Sequence, residues 1–343
     1  MFRFLNLPKA LSMALTPIDE THALQIQAGT LGRKAGHAFE DGITDEINSL
    51  SYPLEASDRI TSHVNVGDPA LTLLNYIATA YGSSTIERAV AISTGALATS
   101  EEGKKWLEVN GVRIKRCKSD LILTIKFARS ETEHTIGVST KQCNNKTPTN
   151  AQLFFTTARG FSNLLTSSGF SVSDTAVVAL RQFCGDVGFR PLDDERVLEG
   201  RQSDPRRFFW EEIDQDGRRE WEALLSSRQD EVTRLLLQKA YLEDPFAPDL
   251  LLHKTKKASE WSQTETAIYT IDELIQLSKE YSGFWTKPYS VRKGSYKDPA
   301  GIQHQAPRFG IVQMQRGGQQ QHPEQLQFNL EAGYFYKIGQ LRA

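Results

Sequence analysis

An aspartate at position 120 opens a run of branched apolar residues, Leu121 to Phe127. A lysine at position 141 closes a second run, Thr135 to Thr140. Between the runs lies the polar, turn-like stretch Arg129 to His134, so the segment reads as two neighbouring strands. Side chains alternate along a strand, which puts Ser139 and Lys141 on one face and Thr140 on the other. A carboxylate and a lysine on neighbouring strands can share one polar pocket against an apolar sheet. Phosphodiester hydrolysis needs such a pair. The carboxylate binds Mg²⁺, which polarises a phosphate oxygen and lowers the pKa of a bound water, and the lysine positions that water and offsets charge in the transition state. Mg²⁺ prefers oxygen ligands and keeps several waters, so few protein ligands are required.

A second carboxylate must come from farther away, because no Asp or Glu lies between Glu133 and Asp174. Glu40, in Gly36-His37-Ala38-Phe39-Glu40-Asp41, is a candidate together with Asp41 and Glu46. Gly36 allows close backbone approach. Gln142, next to the lysine, is placed to contact the scissile phosphate or a water. Pro248-Asp249 ahead of Leu250-Leu251-Leu252 is a decoy: no acid-x-Lys closes a later apolar strand, and it ranks below Asp120.

This arrangement resembles the PD-(D/E)xK nuclease superfamily, and within it the type II restriction endonucleases. Asp120 matches the first acid of that pattern and Lys141 its lysine. Two departures are visible: Lys118-Ser119 replaces the proline-containing lead-in, and Ser139 stands where the second acid is expected. Helices preceding the catalytic hairpin in that superfamily often place a glutamate at the active site, and the resemblance therefore favours Glu40 over Asp41 and Glu46. The resemblance directly covers about residues 33–165. It implies Mg²⁺-dependent, sequence-specific cleavage of double-stranded DNA, with Asp120 and Glu40 as metal ligands and Lys141 as the third catalytic group. It also implies a homodimer cutting a short site and a cognate DNA methyltransferase in the same system. Two alternatives stay open: a repair or defence nuclease on the same core, and a non-catalytic DNA-binding protein in which Ser139-Thr140-Lys141 marks a lost site.

Composition permits this function. The 343 residues carry a net charge of −2, with 40 Lys+Arg against 42 Asp+Glu. Along the chain the charge is uneven. Residues 103–146 hold ten basic and four acidic residues, and residues 250–343 hold twelve and eight. Phosphate affinity depends on the charge at the groove rather than the total. No apolar run approaches the ~20 residues of a membrane helix. Residues 1–12 lack the continuous apolar core of a signal peptide. The three cysteines show no metal or disulfide spacing, so a cytoplasmic protein is expected.

A second chemical signal lies at 303–329, which holds nine glutamines together with Arg308 and Arg316. Gln325 to Leu330 alternates polar with apolar, as a half-buried strand with an amide-bearing face. Arg308 to Gln315 reads as its hairpin partner, with the loop 316–323 between them. Arg pairs with guanine and Gln with adenine in the major groove, so Arg308, Gln313, Gln315, Arg316 and Gln319 are candidate DNA-binding residues, along with Gln142. Lys287, Arg292, Lys293 and Lys297 are candidate phosphate contacts.

The elements that must hold these groups follow from periodicity. Helices are expected over 24–50, 69–81, 84–98, 151–165, 174–184, 218–242 and 272–281, and strands over 112–114, 121–127 and 135–140. The stretch 191–207 reads as a loop. The expected fold is α/β, a mixed central sheet flanked by helices with a C-terminal region containing a β-hairpin. A nuclease core over 1–245 and a DNA-recognition region over 246–343 are the expected division.

Overall fold

Leu121–Phe127 is apolar at nearly every position, and a strand so composed must be covered on both faces. In the computed structural model, which describes residues 37–56, 60, 62–95, 107–114, 117–201, 203–239, 244–289, 303–316 and 325–335, this strand lies inside a seven-stranded sheet. The sheet contains β1 (Leu54–Glu55), β2 (Val64–Gly67), β3 (Thr85–Ser93), β6 (Leu121–Phe127), β7 (Glu133–Gln142), β9 (Leu250–Lys254) and β10 (Thr264–Thr270). Its order is β1-β3-β6-β7-β9-β10-β2. β7 pairs antiparallel with β6 and parallel with β9, so the sheet is mixed. The short strands β4 (Leu107–Val109) and β5 (Val112–Ile114) form a separate ribbon.

One face of this sheet is covered by α1 (residues 37–49) and α2 (Pro69–Ala80). Phe39, Ile43 and Ile47 of α1 pack with Leu123, Ile136, Val138 and Leu252 in one core. Asp68 caps α2 by accepting from the amides of Ala70 and Leu71, and Pro69 occupies the first turn where no amide bond is lost. The other face, through Leu251, Ala267 and Tyr269, joins a second core. That core holds α3 (Ala158–Ser167), α4 (Asp174–Cys184), α5 (Gln215–Ser227), α6 (Gln229–Gln238) and α7 (Ile271–Glu280). It also holds one side of a five-stranded antiparallel sheet, ordered β11 (Phe284–Tyr289), β12 (His304–Phe309), β13 (Val312–Arg316), β14 (Gln325–Leu330) and β8 (Ala151–Thr157). The chain is thus α/β with a mixed sheet flanked by helices. No helix among the described residues is long and apolar enough to cross a membrane.

Several expectations are corrected. The stretch 84–98 is not helical: Thr85–Ser93 is strand β3 between β1 and β6, and residues 96–98 lie outside the described residues. Its β-branched Thr85, Ile86, Val90 and Ile92 favour the pleat, and Glu87 pairs with Lys126 of the neighbouring strand at 3.1 Å. Residues 151–165 divide into strand β8 and helix α3. Ala151 and Leu153 are buried with period two, and Thr157 then caps the helix through the Gly160 amide. The expected helix over 218–242 is two helices broken at Arg228, where φ is −120°. Of the helix expected over 24–50, residues 24–36 lie outside the described part. The strands are also shared differently from a division at 245. β9 and β10 complete the first sheet, while β8 joins the second.

Candidate active site

The register of β6 on β7 decides what stands beside Asp120. Leu121 pairs with Val138, so Asp120, one residue earlier, lies against Ser139 and close to Lys141. The Asp120 amide donates to the Val138 carbonyl (2.8 Å), and the Thr94 amide donates to the Asp120 carbonyl (3.0 Å), which ties β3, β6 and β7 together at this end. The Asp120 carboxylate is then held on one oxygen. Its Oδ2 accepts from the Thr140 amide (2.7 Å) and the Ser139 hydroxyl (3.1 Å), with Lys141 Nζ at 3.5 Å. Oδ1 has no hydrogen bond among the described residues.

Lys141 is fixed by its own strand. Its Nζ donates to Ser139 Oγ (3.0 Å) and to the Thr140 carbonyl (2.6 Å). Glu40 arrives from α1 on the opposite face. Thr140 Oγ1, which points away from Lys141, donates to Glu40 Oε1 at 2.8 Å. Glu40, Asp120 and Lys141, separated widely in sequence, therefore meet at one edge of the sheet. Glu40 and Lys141 flank Asp120 from the two sides of the pleat.

Glu40 is only 9% exposed. Burial, reinforced by the nearby Asp120 charge, pushes its carboxyl up to about 7, against the weaker opposing effects of the Thr140 hydroxyl and Lys141. His37 Nδ1 lies 3.9 Å from Glu40 Oε2. Two carboxylates that repel in a largely dry corner are oxygen donors of the kind a hard divalent cation requires. Among the described residues no group of three His, Cys, Asp or Glu side chains forms a complete cage. Asp120 and Glu40 are the two carboxylates here that could hold such a cation, which would then keep most of its waters.

Three further residues, Thr140, Lys118 and His253, complete the corner, and sequence reasoning gave them no role in the site. Thr140, on the face away from the lysine, anchors Glu40. Lys118, two residues before Asp120, donates to the Leu153 carbonyl at 2.5 Å and so ties β8 to the site. Burial, and then Lys141, lower its ammonium to about 7. His253 pairs with Lys141 in the parallel register and is 1% exposed. Burial and the same lysine hold it down at about 4, hence neutral. Asp249, the decoy, is structural in placement. Its amide donates to the Gly137 carbonyl and its carboxylate accepts from the Gly137 amide, both at 2.8 Å, which clamps β7 to β9.

Compared with known families and with curated proteins, the chain matches none: no family model and no curated protein aligns with it.

The candidate DNA-binding residues are separated by the pleat. β13 and β14 pair as a hairpin with Leu326, Phe328 and Leu330 buried, but the partner strand expected over 308–315 is divided: Arg308 belongs to β12, and only Val312–Arg316 forms β13. Arg308 opposes Gln313, and Gln315 opposes Gln327, all on the face away from the second core. Gln315 Nε2 donates to Gln327 Oε1 across β13 and β14 (3.4 Å), and Gln327 Nε2 to Asn329 Oδ1 along β14 (3.2 Å), so the amides form a connected ladder. Gln313 accepts from Asn150 at 3.0 Å. Phe155 of β8, opposite Gln327, is 57% exposed on the same surface. Arg308, however, is 6% exposed: its guanidinium is paired with Glu331 and lies 5.2 Å over the Trp285 ring. Arg316 falls on the other side of the pleat, with Met314, and its neighbours are Arg207, Asp204 and Arg206. Gln142 ends β7 half-buried beside Lys254. Gln319, Arg292, Lys293 and Lys297 lie outside the described residues.

Proposed function

We propose that this protein is a Mg²⁺-dependent endonuclease that hydrolyses phosphodiester bonds of double-stranded DNA at specific sites, as its resemblance to type II restriction endonucleases implies. The observation that carries the reading is the meeting of Glu40, Asp120 and Lys141 at one sheet edge. A strand hairpin and a helix remote from it in sequence deliver two carboxylates and a lysine to that corner, with hydrogen bonds holding each in place.

A bound Mg²⁺ supplies polarisation of a phosphate oxygen and a more acidic water. The chain does the rest. Asp120, with Oδ2 saturated by donors, presents its other oxygen outward as a ligand. Glu40 is the second ligand and must give up its proton to serve. Lys141 cannot swing away, because Ser139 and the Thr140 carbonyl hold it. It therefore stands within reach of the attacking water and of the negative charge that builds on phosphate oxygens. The amide ladder with Gln313, Gln315 and Gln327 is the base-reading surface, since a Gln amide matches the adenine edge bidentately.

A homodimer in the cytoplasm, with two copies matching a palindromic site and a methyltransferase partner protecting host DNA, belongs to the same proposal. A second reading, a DNA-binding protein without catalysis, is favoured by one observation: Ser139 replaces the expected acid, and its hydroxyl bridges Asp120 and Lys141. Digestion of varied plasmid DNA with Mg²⁺ separates the two. Discrete fragments that vanish with Asp120→Ala support the nuclease. Intact plasmid with retained binding supports the rival.

A further inference from the structure

Strand β8 does not alternate regularly. Against β14, Phe155 pairs with Gln327 and Phe154 with Phe328, and the register then shifts so that Gln152 meets Asn329. Leu153 is the extra residue of a β-bulge. Simple alternation would put Phe155 on the side of Ala151 and Leu153, which are buried in the second core. The bulge reverses this. Phe154 packs inward against that core, and Phe155 turns outward, where it is 57% exposed.

A phenyl ring left in water forfeits the burial that favours it, and its flat face suits another flat ring. Its surroundings are polar. Gln327 stands directly opposite and is bonded to Gln315 of β13, and the exposed Gln152 lies on the same face, opposite Asn329. The ring thus stands among amides that match base edges.

The charge of this part of the chain agrees. Residues 134–173 contain Lys141, Lys146 and Arg159 and no Asp or Glu. Lys146, in the loop before β8, and Arg159, in the first turn of α3 after it, are both exposed. The segment therefore offers cations and amides to a polyanion and no carboxylate of its own. It also leads to the catalytic corner. The Leu153 carbonyl, at the bulge, accepts from Nζ of Lys118, two residues before Asp120, at 2.5 Å. At about 3.3 Å per residue, Phe155 lies roughly 7 Å along the strand from that link, or about two nucleotide steps of about 3.4 Å.

We propose that Phe155 is an apolar wedge that stacks on a base of bound double-stranded DNA and parts it from its neighbour close to the cut, with Lys146 and Arg159 on flanking phosphates. This role rests on the nuclease reading and adds to it a distortion of the substrate. The ring replaces the stacking that the parted base loses.

Short duplexes from the plasmid region that the protein binds, carrying 2-aminopurine at successive positions, test this in Ca²⁺ without Mg²⁺. That base brightens when it loses a stacked neighbour. The full chain should raise its fluorescence severalfold at adjacent positions. Phe155→Ala should abolish the rise and weaken binding by about ten-fold, the scale of one base–aromatic stack, with an unchanged melting curve because the ring is exposed. Phe155→Leu, which keeps an apolar wedge, should retain much of the rise. Lys146→Gln and Arg159→Gln should weaken binding, each reducing the salt slope by about one, and keep the rise. A bound duplex with no rise at any position overturns the proposal. So does an equal rise with Phe155→Ala. So does conversion of a dimer to a monomer by Phe155→Ala in sedimentation, which would give the ring to a second copy of the chain. Cleavage without any rise removes the wedge and leaves the nuclease reading standing. A rise that depends on Phe155 in a protein that never cuts removes the nuclease and keeps the wedge. Failure to bind any duplex removes both.

Discussion

The sheet edge at Asp120 and the amide-bearing sheet at β13 and β14 use alternation in opposite ways. At Asp120 the two sides of the pleat cooperate. Lys141 and Ser139 act from one face, while Thr140 reaches through to Glu40 on the other. At β13 the pleat divides. Gln313 and Gln315 face outward, and Arg316, the next residue, falls on the opposite side of the pleat near Arg207. The difference arises because Asp120 stands at a strand end, where both faces are reachable, whereas β13 lies inside a sheet whose inner side is packed. Neighbours in sequence are therefore partners at the first place and strangers at the second.

The largest effect expected from breaking this contrast is at the sheet edge. Asp120→Ala and Lys141→Ala should each lower the plasmid cleavage rate by about 10²–10⁴-fold, the usual range for a removed acid–base or electrostatic group. DNA affinity measured in Ca²⁺ or EDTA should change far less. A variant that cleaves at the wild-type rate removes that residue from the site.

Next comes the clamp beneath it. A Cβ on Gly137 would lie 2.6 Å from the Ala247 carbonyl oxygen, which is backbone and cannot yield. Gly137→Ala should cost about 1–3 kcal/mol and lower the melting temperature, because β7 must shift against β9. An unchanged melting curve would show that the strands part at no cost.

Glu40 has a pH signature. Its folded carboxyl stands at about 7 and its ordinary value is 4.5, so the folded state holds the proton more tightly. Stability of the metal-free protein should then fall as pH rises from about 4.5 to 7 and level off above. Glu40→Gln should flatten that dependence in thermal melts. Because a ligand must be deprotonated, Mg²⁺ affinity in the wild type should fall as pH drops below about 7. A wild-type profile with no slope between pH 5 and 7 would place Glu40 in a different environment.

The smallest effects sharpen the second region. Gln313→Ala and Gln315→Ala should shift base preference by about 1–3 kcal/mol at single positions of the recognised site, as read from cleavage of a degenerate library. Arg316→Gln should alter affinity without changing preference. If Arg316→Gln relaxes base preference and the glutamine variants do not, the two faces of β13 have been assigned the wrong way round.

Much of this was legible in local pattern. The dense branched residues of Leu121–Phe127 require a buried strand, Asp68-Pro69 starts a helix, and Gln325 to Leu330 alternates as it does in the folded sheet. Glu40 was legible only through the resemblance, which implies a glutamate on the helix preceding the catalytic hairpin. Other features were not. The spacing of Ser84 and Glu87 suits a helix cap equally well, and only the pairing of β3 between β1 and β6 selects the strand. Arg308 is a plausible base reader until Glu331 and Trp285 enclose it.

By itself, then, the amino-acid sequence determined the periodicities, the α/β class, and which side chains carry charge near an apolar strand. Those are properties of short windows, where sterics and burial act locally. Tertiary structure alone decided that Thr140 should hold Glu40, that Lys118 should bind the β8 backbone, and that Arg316 should turn away from Gln315 toward Arg207. The first two depend on how a helix and a strand remote from Thr140 and Lys118 pack against them, and what Arg316 meets on its side of the pleat depends on where Arg207 is brought. A shift of one residue would exchange the faces of every side chain, and only the packed core on both sides of the first sheet forbids it.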